Sequence, residues 1–135
     1  MKNHAVIILR NEELFLFVQR SATKKSLPNI WAFPSGTVEE GESASETIVR
    51  EAKEELSVDV NIEKDLAKVE LPELGACLHF FVCINKSNQE LICDPNEIQQ
   101  TQWMTFAEFF KKFNDDQIGH GLRYLRNHPE IWKKI

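Results

Sequence analysis

The chain has 135 residues, 42% hydrophobic and 27% charged, an ordinary balance for a globular protein built on one core. No apolar run approaches the ~20 residues of a bilayer-spanning helix, and Ala5–Leu9 is too short for a signal-peptide core, so the expectation is a cytoplasmic protein with no membrane contact. The net charge of −5 disfavours an extended nucleic-acid partner, and it is concentrated: Gly36–Val60 holds eight acids and two bases, the remainder 13 acids and 14 bases.

In chain order, Ala5–Leu9 and Leu14–Gln19 predict two strands joined as a hairpin at Asn11-Glu12-Glu13. Ser21–Asn29 is polar and contains Lys24, Lys25 and Pro28, which predicts a loop. Ile30–Phe33 is a short strand stopped by Pro34, and Ser35–Glu42, with two glycines, is loop or irregular hairpin. Ser43–Leu56 predicts a helix, because Ser43 caps it and Glu46 completes a capping box. Val58–Ile62 alternates as a strand, Ala76–Ile84 is a long apolar strand suited to a sheet centre, and Gln99–Met104 is another strand. Thr105 and Glu108 form a second capping box for a helix to Phe113, whose phenylalanines Phe106, Phe109, Phe110 and Phe113 belong in the core. Asp116–Asn127 predicts a last helix, stopped before Pro129. The pattern is that of a mixed sheet covered by helices. Three cysteines, Cys77, Cys83 and Cys93, form no CxxC pair and suit free thiols in a reducing compartment. His79 lies on an apolar strand as a satisfied core residue, and His4, His120 and His128 have no metal-ligand spacing.

The helix from Ser43 carries the chemistry. At roughly 100° per residue, Ile48, Val49, Ala52 and Leu56 share the core side. Glu51, Glu54 and Glu55 cluster on one face at the edge of that side. Arg50 stands four residues from both Glu46 and Glu54, in position to pair with them. Exposed, three such glutamates repel by a few tenths of a kcal/mol per pair and merely favour helix. Partly buried, at ~6 Å and an effective dielectric of ~20, each pair costs about 3 kcal/mol. A hard divalent cation, magnesium, manganese or calcium, offsets that cost.

Gly36, Glu42, Arg50, Glu51, Ala52, Glu54, Glu55 and Val58 stand at the spacing of the Nudix box, GX5EX7REUXEEXGU with U aliphatic, and the segment resembles that family over 23 residues. Ser57 departs, standing where the box has glycine, and Ser35 where many members carry another glycine. The flanks Val18-Gln19-Arg20 and Ile30-Trp31-Ala32-Phe33-Pro34 are similar to the family too. The resemblance implies one Nudix hydrolase domain over residues 1–135, with the Nudix fold: an α/β/α sandwich around a mixed β-sheet, the box forming loop-helix-loop. It implies Mg2+- or Mn2+-dependent hydrolysis of the diphosphate linkage of a nucleoside di- or triphosphate or a nucleoside diphosphate derivative. The metal would be held by Glu51, Glu54, Glu55 and the Gly36 carbonyl, with Arg50 and Glu42 orienting those ligands.

A bound cation would make the acidic segment compatible with an anionic diphosphate and acidify the attacking water. The base that takes the proton is open between Glu54, Glu51 and Glu97; Glu97 precedes Trp103 by six residues, and MutT-like members carry a functional glutamate at a similar spacing. Arg20, which ends the second strand, and Lys24 are candidates for the outer phosphates. Trp31 and Phe33, sharing one strand face, are candidates to stack on a base or else core residues. The partner is a small nucleotide, the assembly a monomer or homodimer. Two alternatives stand beside hydrolysis. One is a non-catalytic Nudix-like nucleotide-binding or regulatory module; the other is an isomerase of a prenyl diphosphate, whose protonating residues the sequence does not locate. MutT-like cleansing of oxidised triphosphates fits the small size; a pterin triphosphate, dinucleoside polyphosphate, nucleotide sugar or capped RNA end fits as well.

Overall fold

The computed structural model describes residues 1–135. Its strands are β1 (Lys2–Asn11), β2 (Leu14–Arg20), β3 (Trp31–Ala32), β4 (Ser35–Thr37), β5 (Val60–Leu71), β6 (Ala76–Asn85) and β7 (Ile98–Met104). Its helices are α1 (Ala44–Leu56), α2 (Phe106–Lys112), α3 (His120–Arg126) and α4 (Pro129–Trp132). The strands form one mixed sheet in the order β3-β2-β1-β6-β5, with β4 also paired to β1 and β7 to β2. β1 and β6 run parallel at the centre, and the other pairings are antiparallel. The β1–β2 hairpin pairs only at Arg10↔Phe15 and Asn11↔Leu14. Beyond it the strands part, and β4 takes the freed edge of β1 at His4, Ala5 and Val6.

Helices cover both faces, which is why β1 and β2 read as unbroken apolar runs rather than alternations. Ala5, Ile7, Leu9, Leu16, Val18, Phe81 and Cys83 pack under α1 with Ile48, Ala52 and Leu56. Val6, Ile8, Phe15, Phe17 and Phe80 point the other way, onto Phe106, Phe109, Phe113, Leu122 and Leu125. The result is the expected α/β/α sandwich around a mixed sheet. Both capping boxes form: the Glu46 amide donates to Ser43 Oγ at 3.1 Å and the Glu108 amide to Thr105 Oγ1 at 3.1 Å.

Two expectations need correction. The strand expected at Val58–Ile62 runs on to Leu71, with its register against β6 shifted between Ile62 and Lys64 and between Asp65 and Ala67. Those irregularities break the period-two pattern by which a strand is recognised. The helix expected at Asp116–Asn127 is divided: a 3-10 turn at Asp115–Gln117, then α3, then α4 beyond Asn127. Gly119 precedes α3 in extended backbone and donates its amide to Trp31 O at 2.9 Å, so the chain is tied to the sheet where the helix was expected to continue. The three cysteines are free, as expected, and His79 is satisfied by Asp65 at 2.8 Å.

Candidate active site

Helix α1 sets the site. Thr47, Ile48, Ala52 and Leu56 are buried against the sheet, while Val49 is 48% exposed. The buried face is therefore turned from the one expected, with Thr47 in place of Val49. On the same wheel, at roughly 100° per residue, Glu55 falls near the middle of the buried arc and Glu51 between it and Thr47. The three glutamates are thus unlike in environment: the Glu51 side chain is 13% exposed, Glu54 is 57% exposed, and Glu55 has an oxygen wholly out of contact with water.

Arg50 spans the acidic side. Its Nε and Nη2 donate to both carboxylate oxygens of Glu42 at 2.8 and 3.0 Å, and Nη2 also to Thr37 O at 3.2 Å. Nη1 donates to Glu51 Oε1 at 2.7 Å and Glu54 Oε2 at 3.3 Å. The expected pairing with Glu46 does not form, because that carboxylate accepts the Ser43 amide in the capping box. Glu42 further accepts the Thr47 hydroxyl at 2.6 Å. The Arg50 fork and then the Thr47 hydroxyl hold the Glu42 carboxyl down at about 2, and the hydrogen bonds to Glu42 and then Glu51 push the Arg50 guanidinium up. Glu51 is fixed from below by absence of bulk: β4 pairs Gly36 with Ala5, and a Cβ built on Gly36 would overlap Cγ and Cδ of Glu51. That close approach explains the glycine.

Glu51, Glu54 and Glu55 open onto a cleft of about 420 Å3 shared with Arg20, Lys24, Ser35, Asp94 and Glu97. Burial, and then the charges of Glu51 and Glu97, push the Glu55 carboxyl up to about 8. Its Oε2 is buried with no hydrogen-bond partner. Glu51 is raised as well, by burial first, against the pull of Arg50. A crowd of oxygen donors with one buried oxygen unspent has the donor chemistry that a hard divalent cation takes. The donors are not gathered on a common point: no three acidic, histidine or cysteine side chains stand in a ligating arrangement. Arg50 holds one oxygen each of Glu51 and Glu54.

The residues outside the helix fall in two groups. Glu97 and Lys24 do reach the cleft and pair there, Nζ to Oε2 at 2.7 Å. Arg20 lines it too, but spends its guanidinium on Ser26 O at 2.8 Å and Leu27 O at 3.1 Å. Trp31 and Phe33 stay out of it. Each is 5% exposed, Trp31 against Phe113 with centroids 5.1 Å apart and Phe33 against Phe17 at 5.3 Å, so neither offers a ring face to a base, and of the two expected readings the core one is the one the structure shows. Asp94 was missed in the sequence, although the Asp-Pro step marked a turn; its Oδ1 accepts the Asn96 amide at 2.9 Å. Ser57 keeps the left-handed cap that a glycine would supply, at φ 61°. Its hydroxyl donates to Ile92 O at 2.8 Å, tying α1 to the segment that carries Asp94 and Glu97.

The NUDIX domain family model matches residues 2–124. Nudix hydrolase 2 of Arabidopsis thaliana is 35% identical over 111 residues, which cover 80% of this chain and 40% of that protein. The chain therefore spans less than half the length of that relative, and 59% of a Nudix hydrolase of Deinococcus radiodurans that is 32% identical over 101 residues. In fold it is similar to the crystal structure of DR0079 from D. radiodurans, with a TM-score of 0.78, 24% identity, and 93% of this chain and 82% of that one covered.

Proposed function

The chain belongs to the Nudix family, and from that premise we propose that it hydrolyses the diphosphate linkage of a nucleoside di- or triphosphate or a nucleoside diphosphate derivative, with Mg2+ or Mn2+ as cofactor. The observation that carries the reading is the cleft itself, where Glu51, Glu54, Glu55 and Glu97 meet and the Glu55 Oε2 has no partner. Glu51, Glu54, Glu55 and the Gly36 carbonyl would hold the cation. When bound, it supplies charge neutralisation for the diphosphate and acidification of a water. The chain's own residues do the rest. Arg50, braced by Glu42 and Thr37 O, orients Glu51 and Glu54. Lys24 meets an outer phosphate. The proton of the attacking water passes to Glu54, Glu51 or Glu97, and the P–O–P bridge breaks as the water oxygen joins phosphorus. We read residues 1–135 as one domain performing this reaction on a small nucleotide.

The test is a panel of nucleotides and derivatives with Mg2+, read by released phosphate and pyrophosphate; folded protein that turns over none of them refutes the reading. Glu54→Gln, Glu51→Gln and Glu97→Gln then assign the base, as the one whose loss removes the acidic limb of the kcat profile. A second reading, nucleotide binding without turnover, draws on the unconverged carboxylates. It requires tight binding by wild type and Glu54→Gln alike and no product from either.

A further inference from the structure

The loop between β2 and β3, Ser21 to Ile30, delivers Lys24 to the cleft, and it is fastened by a residue outside the Nudix box. Gln99 lies on β7, and the β2–β7 register shifts between Gln19 and Arg20 just beside it. Its side-chain Oε1 accepts the Ala22 amide at 2.9 Å, and its Nε2 donates to Asn29 Oδ1 at 2.9 Å. One amide thus joins both ends of the loop. Ser21 donates its own amide to Glu97 O at 2.9 Å, so the same β7 end that carries Gln99 sets Glu97, the partner of Lys24. Asn29 closes the loop in a left-handed conformation, φ 64°, which an Asn tolerates, and its amide donates to Arg20 O at 3.1 Å.

Arg20 takes a different part. Its guanidinium is committed to Ser26 O, Ser26 Oγ and Leu27 O, all within the same loop. It is a strut of the loop, and the cation left to face an anion in the cleft is Lys24, whose partner Glu97 is a carboxylate that a phosphate can replace. We propose that Gln99 is a positioning residue, which by clasping Ala22 and Asn29 holds Lys24 over the acidic cleft to receive an outer phosphate of the substrate.

This rests on the hydrolase reading for its substrate, and the experiment separates the two. Gln99 is exposed, and Gln99→Leu removes both contacts at similar size. On the best nucleotide of the panel, Lys24→Met raises KM about tenfold or more and Gln99→Leu about fivefold, with kcat within about twofold in each. Because Gln99 acts only through Lys24, the double variant is no worse than Lys24→Met alone. Amide exchange at Ala22 and Asn29 is faster in Gln99→Leu than in wild type. Full additivity in the double variant, a fall in kcat at unchanged KM, or unaltered exchange at Ala22 overturns the proposal. If wild type hydrolyses nothing, the hydrolase reading fails by itself; the same cycle is then read by calorimetric binding of inorganic pyrophosphate with Mg2+, where Gln99→Leu binding as tightly as wild type likewise overturns it.

Discussion

The two faces of the central sheet hold opposite kinds of interior. Toward α2, α3 and α4 the filling is aromatic: Phe17 stacks on Phe109 at 4.0 Å and 9°, Phe106 meets Phe15 at 4.6 Å, and Trp132 lies over Phe106 at 5.4 Å. Its one unpartnered buried polar atom is the neutral Trp132 indole nitrogen. Toward α1 the filling is mainly aliphatic, with Phe81 its one buried ring, and the unpartnered buried side-chain atom is an oxygen of Glu55, an ionisable group set among other carboxylates. Burying a charge without a partner costs far more than burying a neutral donor. One face is thus complete as folded. The other is electrostatically unfinished, and its completion by a cation would couple folding to function.

The largest expected effect lies on the complete face. Phe109→Ala removes a fully buried ring and should cost about 3–5 kcal/mol in denaturant unfolding, with metal making little difference to the loss. A loss below about 1 kcal/mol would mean that the aromatic layer does not carry the stability assigned to it. Next comes Gly36→Ala on the unfinished face. The new methyl must evict the Glu51 side chain from its place beside Arg50. A displacement on that scale costs roughly 10²-fold in kcat/KM, whereas the overpacking itself costs about 1 kcal/mol, since Glu51 has the cleft to move into. The contrast fails if Gly36→Ala unfolds the protein as much as Phe109→Ala does.

Sequence and structure agree most closely where local rules act alone. The capping boxes at Ser43–Glu46 and Thr105–Glu108 fixed the starts of α1 and α2 to the residue, because each is a contact between groups three positions apart. The box spacing likewise set Glu51, Glu54 and Glu55 within one arc of α1. What stayed hidden depends on partners distant in the chain. Val49 turns outward because the tilt of α1 on the sheet, not its own polarity, chooses the buried arc. Trp31 and Phe33 enter the core because Phe113 and Phe17 come to meet them from other elements. Gln99 gave no signal, since its two hydrogen bonds reach 77 and 70 positions back.

The acidic face should also declare itself in pH. The Glu55 carboxyl is raised from 4.5 to about 8, so the fold favours its protonated form. Its contribution to stability is fully present below pH 4.5 and is lost as pH rises toward 8, by at most about 1.4 kcal/mol per pH unit. Glu42, held at about 2, works in reverse: its contribution is present above pH 4.5 and is lost as pH falls toward 2. In EDTA the melting temperature should fall between pH 4.5 and 8, Glu55→Gln should flatten that fall, and Mg2+ should raise it most at the high end. A slope unchanged in Glu55→Gln would remove Glu55 as the source of the imbalance.

The smallest effect tests what joins α1 to the cleft's other wall. Ser57 is strained, in a left-handed cap that costs a residue with a Cβ about 1 kcal/mol. Its hydroxyl recovers part of that through Ile92 O, a bond worth about 0.5–1.5 kcal/mol. Ser57→Gly removes strain and bond together, so the two terms nearly cancel and stability should change by less than about 0.5 kcal/mol. Ser57→Ala keeps the strain and loses the bond, and should cost about 1 kcal/mol. Ser57→Ala against wild type therefore isolates the hydrogen bond, and Ser57→Gly against Ser57→Ala isolates the strain. Because that bond anchors the segment leading to Asp94 and Glu97, both variants should also raise KM to a similar small extent. A Ser57→Ala variant as stable as wild type would show that the hydroxyl contributes nothing, and that the Ile92 amide bond to Leu56 O at 3.0 Å and the packing of Leu91 and Cys93 under α1 hold the acidic wall in place.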